Sequence, residues 1–351
     1  MATSVTCVKT GMGALELREI ELPDLKPEDV LVRTTLATVC GSDIHFLDEY
    51  PMPPGRDALP MGHEGLGVVA AVGSGVKTLA EGDRVVASCV YGCGRCGNCQ
   101  RGDLQLCTVF GKIPGITNGL AGCQGEYFLV READLNAAKV PDELSDEAAI
   151  LAGDIMSTGF GAVERGGVSI GDTVAIFAQG PVGLCATAGA RIRGAGLIIA
   201  VEGIPERAAL ARRMGANVVV EPETAVDEIL AMTNGIGVDV AIEALGRDVT
   251  FRNALATSRV GGTVSSVGVY AAHRSLDVRV DGRFYMRRIV TTVCPAGSDR
   301  LRRLFDVALH GNVDLAALFT HRRKLDEVIE TYDQFKHRED GMVKVALTTA
   351  A

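Results

Sequence analysis

The sequence predicts an α/β chain, in which a doubly wound parallel sheet is joined to an irregular β-rich domain. Three observations predict it. From Asp172 onward, short apolar runs alternate with helix-forming segments, as in βαβ units whose strands are covered on both faces. Before about Ala152 the apolar runs alternate with polar residues and are broken by glycine, as in a turn-rich β domain. Finally, 351 residues at 47% hydrophobic content exceed one simple core, so two domains are expected.

Taken in order, DVLVRTTLATVC, GLGVVAAVGSGV and GDRVVASCV are the strands of the first portion. TVAIFA, LIIAV, NVVV, VDVAIEA and TVSSVG are the strands of the parallel sheet, and IVTTVC supplies a sixth. Between the first five lie PVGLCATAGARIRGA, PERAALARRMGA, TAVDEILAMT and VTFRNALATS, all helical in pattern. The tail holds a helix, SDRLRRLFDVALHGN, and a strand, MVKVALT. The expected division is 1–152 and 296–351 for the β-rich domain and 153–295 for the parallel sheet. No internal repeat or low-complexity segment interrupts it.

A net charge of −9 argues against nucleic acid as a partner. No apolar stretch reaches membrane-spanning length. The N-terminal residues lack a basic region followed by an apolar run, so no signal peptide is expected and a cytoplasmic location follows. In that compartment clustered cysteines read as metal ligands rather than disulfides. Cys93, Cys96, Cys99 and Cys107 are spaced C-x2-C-x2-C-x7-C in a glycine-rich loop, the pattern of a closed tetrahedral zinc site. Cys7, Cys89, Cys123, Cys185 and Cys294 read as small buried hydrophobes.

At the end of the first parallel strand stands Ala178-Gln179-Gly180-Pro181-Val182-Gly183. It matches a dinucleotide turn with alanine in place of the first glycine. Gly180 lets the backbone approach a pyrophosphate, Gly183 allows close helix–strand packing, and the helix N-terminus offers free N–H groups. Glu202 ends the next strand, 22 residues after Gly180. An acid there accepts hydrogen bonds from both ribose hydroxyls and repels a 2′-phosphate, which favours NAD over NADP. The competing reading is that Glu202 caps the helix near Pro205. Arg207 is a nearby cation that could tolerate a phosphate.

Three further segments carry ligand types: Cys40-Gly41-Ser42-Asp43-Ile44-His45, Gly62-His63-Glu64-Gly65 and Gly153-Asp154. Cys40, His63 and Asp154 offer a thiolate, an imidazole and a carboxylate, the three ligands of an open, catalytic zinc site. Glu64 is either an exchangeable fourth ligand or a support. Asp154 also suits a helix N-cap.

C-G-S-D-x-H, G-H-E-G, the four-cysteine loop and the glycine turn, in this order, resemble the zinc-dependent medium-chain dehydrogenase/reductase family, the alcohol dehydrogenases. The resemblance spans essentially the whole chain. Asp154, Thr158-Gly159-Phe160 and Val293-Cys294-Pro295-Ala296-Gly297 resemble the bacterial secondary alcohol dehydrogenases. Those enzymes often lack the structural zinc, whereas this chain keeps all four thiols. The resemblance implies a Rossmann domain beside a GroES-like domain, two Zn2+ per chain, NAD and a homodimer or homotetramer. It also implies a proton relay from Ser42 through ribose hydroxyls to His45. Asp43 stands behind His63, and Thr158 lies against the nicotinamide. Val267, Gly268 and Val269 contact the carboxamide, and Lys344 reaches the pyrophosphate or is an ordinary solvated lysine.

The function expected is reversible hydride transfer between an alcohol, in the first instance secondary, and NAD. A polyol or threonine-type dehydrogenase is the alternative, with Arg56 and Asp57 as its only polar hint. A non-catalytic cofactor-binding protein is a third reading. His273, His310, His321 and His337 carry no partner motif.

Overall fold

The structure, a computed structural model, describes residues 3–110, 122–270, 275–276, 278, 280 and 284–349. His273 lies outside the described residues. In chain order the strands are β1 (Thr3–Gly11), β2 (Ala14–Glu21), β3 (Val30–Thr38), β4 (Leu59–Pro60), β5 (Gly65–Val72), β6 (Arg84–Ala87), β7 (Tyr127–Val130) and β8 (Ala137–Lys139). They continue with β9 (Thr173–Phe177), β10 (Leu197–Val201), β11 (Val218–Val220), β12 (Val238–Glu243), β13 (Ser258–Ser266), β14 (Arg288–Thr291), β15 (Phe319–Lys324) and β16 (Lys344–Thr348).

The chain divides into two compact units. One comprises Met1–Ser157, Cys294–Asn312 and Ala316–Ala351, the other Thr158–Val293 and Val313–Leu315. These limits lie a few residues from those read in the sequence, because Ser157 is tied to the first unit. Its hydroxyl donates to the Pro295 carbonyl at 2.7 Å and accepts from Arg300 Nε at 3.0 Å.

The first unit carries a seven-stranded sheet in the order β15-β16-β3-β5-β6-β8, with β7 also on β3, and a three-stranded sheet β2-β1-β4. Along β3 the alternation of apolar and polar residues buries Val30, Val32 and Leu36, and Val30 and Val32 pack with Val69, Val85 and Phe128. The C-terminal strand β16 runs antiparallel to β3, pairing Leu347 with Ala37. It thereby returns to the segment that leads into Cys40.

The second unit is built on a six-stranded sheet, β11-β10-β9-β12-β13-β14, with every neighbouring pair parallel. This is the doubly wound order in which ligands bind beyond the carboxyl ends of the strands. Val174, Ala175, Ile176 and Phe177 of β9 are all buried, as a central parallel strand requires.

Candidate active site

The metal-ligating candidates of the first unit lie at the ends of rigid elements. Cys40 is the N-cap of the helix Gly41–Glu49. Its N–H donates to Asp43 Oδ2 at 2.9 Å. The other Asp43 oxygen, Oδ1, faces His63 Nδ1 at 2.9 Å. One buried carboxylate therefore orients two ligands, and it leaves His63 Nε2 directed to the cluster. Asp154 sits between the short helix Leu151–Gly153 and the helix Ile155–Gly166. Its Oδ2 lies 3.3 Å from His63 Nε2 and 3.5 Å from Cys40 Sγ.

Cys40, His63, Glu64 and Asp154 each offer a ligand atom within 4.8 Å of all the others. Tetrahedral zinc with bonds of about 2.0–2.3 Å needs ligand edges of about 3.3–3.8 Å. The Asp154–His63 and Asp154–Cys40 separations match that, and the thiol, imidazole and carboxylate donors suit the ion. Among the described residues Glu64 Oε2 is buried and has no hydrogen-bond partner, an acceptor left over for a cation. The electrostatics agree. Burial works against a charged imidazole, but Asp43 and Asp154 outweigh it and lift His63 well above the ordinary histidine range. Burial also opposes ionisation of Asp154, yet the His63 hydrogen bond and charge hold it below the usual carboxylate range. Burial and the Asp154 charge raise the Cys40 thiol. A dication bound here replaces those protons, so uptake releases them.

Ser42 and His45 lie one turn apart on the helix Gly41–Glu49 and share a face. Ser42 Oγ is 3.3 Å from His63 Nε2. His45 is partly exposed, with Nδ1 2.8 Å from Glu49 Oε1. Lys344 departs from the phosphate contact expected of it. Its ammonium is fully buried, bonded to Glu64 and, at 3.3 Å, to the Val39 carbonyl. Pairing of β16 with β3 carries it to Glu64, so it is not an ordinary solvated lysine.

The four-cysteine loop closes on itself. Sulfur separations are 3.4 Å for Cys96–Cys99, 4.0 Å for Cys93–Cys99 and 4.0 Å for Cys96–Cys107. The N–H groups of Cys96 and Phe110 donate to the Cys93 and Cys107 sulfurs at 3.4 and 3.3 Å. Backbone N–H groups of Cys99 and Thr108 hold the Cys96 thiol down at about 5. Four converging sulfurs fit a structural zinc.

In the second unit Gly180 caps the helix Pro181–Ile192, with Pro181 at its first position and Val182 following. A Cβ on Gly183 would stand 1.9 Å from the Ala178 carbonyl oxygen, so only glycine fits. Ala178, the alanine in the first glycine position, has φ 74°, a left-handed conformation that strains a side chain. Glu202 accepts hydrogen bonds from the N–H groups of Gln179, Gly203 and Ile204 at 2.9, 3.0 and 3.0 Å. It thus ties the glycine turn to the end of β10 and also supports the start of the helix Pro205–Met214. Arg207 Nη1 lies 3.9 Å from the place of a Gly180 Cβ. Thr158 is buried in the helix Ile155–Gly166. Val267 is buried, Val269 exposed, and a Cβ on Gly268 would stand 2.0 Å from Gly246 N.

Three features were not singled out in the sequence. Gln179 is buried and accepts from Thr187 Oγ1 at 2.8 Å, bracing the turn from inside. Glu243, at the end of β12, accepts from Leu245 N, Gly246 N, Thr250, Ser266 and Tyr270, and so joins the two loops beyond β12 and β13. Cys89 and Cys294 are buried as expected, but their sulfurs face Asp154 rather than carbon alone. An acidic residue closing an apolar strand was the available signal for Glu243; the cysteines offered none.

Residues 26–142 match the model of an alcohol dehydrogenase GroES-like domain, and residues 181–308 that of a zinc-binding dehydrogenase. An alcohol dehydrogenase of Cupriavidus necator is 41% identical over 360 residues, covering 95% of this chain and 96% of the relative. An NADP-dependent isopropanol dehydrogenase of Thermoanaerobacter brockii is 36% identical over 348 residues, with 97% and 98% covered. The solved structure of alcohol dehydrogenase TADH from Thermus sp. ATN1 superposes with a TM-score of 0.90 at 33% identity, covering 98% of this chain and 99% of that one.

Proposed function

The chain belongs to the zinc-dependent alcohol dehydrogenase family, and from that premise we propose that it is an NAD-dependent oxidoreductase of secondary alcohols holding two zinc ions. The observation that carries the reading is the convergence of Cys40, His63 and Asp154, with Asp43 fixed behind His63. Zinc held there supplies a Lewis acid for the alcohol oxygen, and NAD held at the Gly180 turn supplies the hydride acceptor. Ser42, beside His63 Nε2, takes the alcohol proton. His45, one turn on and partly exposed, passes it to solvent, with Glu49 steadying its ring. Thr158 would hold the nicotinamide, and the backbone of Val267, Gly268 and Val269 would bind its carboxamide.

The alcohol reading is favoured over a polyol one. Asp57, half of the polar hint, is exposed and bound to Arg18 at 2.9 Å. A small-molecule alcohol or ketone is the partner, in a cytoplasmic homodimer or homotetramer. The test is metal content together with the alcohol-dependent rise of reduced-cofactor absorbance. A chain with both zinc ions bound and no activity over primary, secondary, cyclic and polyol alcohols overturns the reading.

NAD is favoured by Glu202, whose carboxylate would face a 2′-phosphate, while Arg207 lies against the pyrophosphate turn. The expected ratio of kcat/KM for NAD over NADP is at least about tenfold, or about 1.4 kcal/mol. Glu202→Gln should narrow it. A wild-type preference for NADP, the cofactor in the name of the T. brockii relative, overturns the assignment.

The second zinc belongs to the loop. Cys99→Ser is expected to lower the zinc count by about one per chain, with loss of several kcal/mol of stability. That is a fraction of the roughly 10–16 kcal/mol with which small structural zinc sites bind. A count unchanged from wild type removes the loop assignment.

A further inference from the structure

The two oxygens of Asp154 face different partners. Oδ2 is turned to His63 Nε2 and Cys40 Sγ. Oδ1 is turned to Cys89 Sγ, 3.3 Å away. Cys294 completes that second side, for Cys89 Sγ, Cys294 Sγ and an Asp154 oxygen all lie within 4.8 Å of one another. The Cys294 sulfur is also 3.6 Å from the Asp154 carbonyl oxygen and 3.8 Å from that of Gly153. The arrangement is held by backbone. Cys89 N donates to the Gly153 carbonyl at 2.9 Å, which fixes the segment after β6 against the turn that carries Asp154. All four residues belong to the first unit.

We infer that Cys89, Cys294 and Asp154 form a further site for a soft divalent cation, bridged by Asp154 to the Cys40–His63 centre. Two sulfurs and a carboxylate oxygen are a donor set that selects zinc or cadmium over magnesium and calcium. Three protein ligands leave the fourth position open. A carboxylate whose oxygens serve two opposed donor sets is a bridge, and ions in paired sites stand about 3.5–4 Å apart. The competing account, two thiols acting as small apolar residues, explains their packing with Val90, Ala296 and Leu104. It does not explain why Cys89 Sγ stands 3.3 Å from Asp154 Oδ1 with the Cys294 sulfur, itself 3.5 Å from the Pro295 carbonyl, within 4.8 Å of the same group.

Each thiol releases its proton to water as the ion binds, and no electron moves. The two buried thiols and the shared carboxylate make this site weaker than the four-thiolate loop, so it fills only when zinc is in excess. An ion on Oδ1 draws charge from Asp154 and crowds the neighbouring centre, so alcohol oxidation falls as it fills. Only that last consequence rests on the function proposed above; the binding does not.

The purified chain is dialysed against metal-free buffer, its retained zinc counted, and then titrated with zinc chloride and separately with cadmium chloride. One further ion per chain is expected, with a thiolate-to-cadmium absorption band and a parallel loss of activity. Cys89→Ser and Cys294→Ser should each weaken the added ion at least about tenfold and reduce the band, with the retained zinc unchanged. Cys89→Ala and Cys294→Ala, closer to a thiol in apolar packing, give the same readout should the serine variants fold poorly. Uptake that stops at the retained ions, or an added ion bound equally well by the cysteine variants, overturns the inference. Zinc retained before the titration tests the first centre and the loop, so the two readings fail separately.

Discussion

Alcohol oxidation falls at least about a thousandfold when His63 is replaced by alanine, and about one zinc per chain is lost with it. The size follows from what the ligand holds in place. A Lewis-acidic ion contributes several kcal/mol to stabilising developing charge on oxygen. Losing about 4 kcal/mol of that is roughly three powers of ten in rate. The variant to set beside it is Asp43→Asn. This side chain touches neither ion nor alcohol, yet it faces His63 Nδ1 at 2.9 Å and accepts from Cys40 N at 2.9 Å. Removing its charge leaves both ligands present but loosely aimed, and the expected cost is about 10–100-fold in metal affinity or activity. The discriminating measurement is zinc affinity determined beside kcat/KM for wild type and the two variants. His63→Ala retaining more than a tenth of wild-type activity removes His63 from the centre. Asp43→Asn as damaging as His63→Ala makes Asp43 more than a positioning residue.

The gap between these two variants marks what the sequence makes legible. Cys40, His63 and Asp154 are visible because their residue types are themselves the chemistry, and short motifs place them beside glycine turns. Gly183 is legible for a similar reason, since a 1.9 Å approach to a carbonyl leaves no room for a side chain. The parallel sheet is legible because strands buried on both faces must be written as continuous apolar runs, as in β9 and β10. What escapes is pairing at long range. Cys89 and Cys294 meet around Asp154 from distant parts of the chain, and nothing local to either announces it. Glu243 reads as the last residue of a strand, although its carboxylate gathers two loops. Lys344 is the sharpest case. In sequence it is a lysine in an alternating strand, and its burial is decided by β16 lying against β3, a fact of topology rather than of local pattern.

That lysine supplies the second large effect. Lys344 Nζ and Glu64 are both essentially without solvent exposure, and the partners are 280 residues apart. Burial alone would lower the lysine, but the Glu64 charge holds it above its ordinary value, so it is an ammonium throughout the physiological range. Removing one member of such a pair leaves a buried charge without its counter-charge, and the usual cost is about 3–5 kcal/mol. Lys344→Met is therefore expected to destabilise the first unit by about that much in urea-induced unfolding. Lys344→Met combined with Glu64→Gln should recover a large part of the loss, because no uncompensated ion remains. Among the described residues Glu64 also keeps one oxygen without a hydrogen-bond partner, and it belongs to the cluster of His63 and Asp154. The double variant consequently separates two roles of that carboxylate. Stability regained with zinc affinity still reduced assigns Glu64 to the metal as well as to the lysine. Stability and zinc affinity regained together assign it to the lysine alone. A single Lys344→Met that costs less than about 1 kcal/mol would mean that the pair is solvated and that the return of β16 does not bury it.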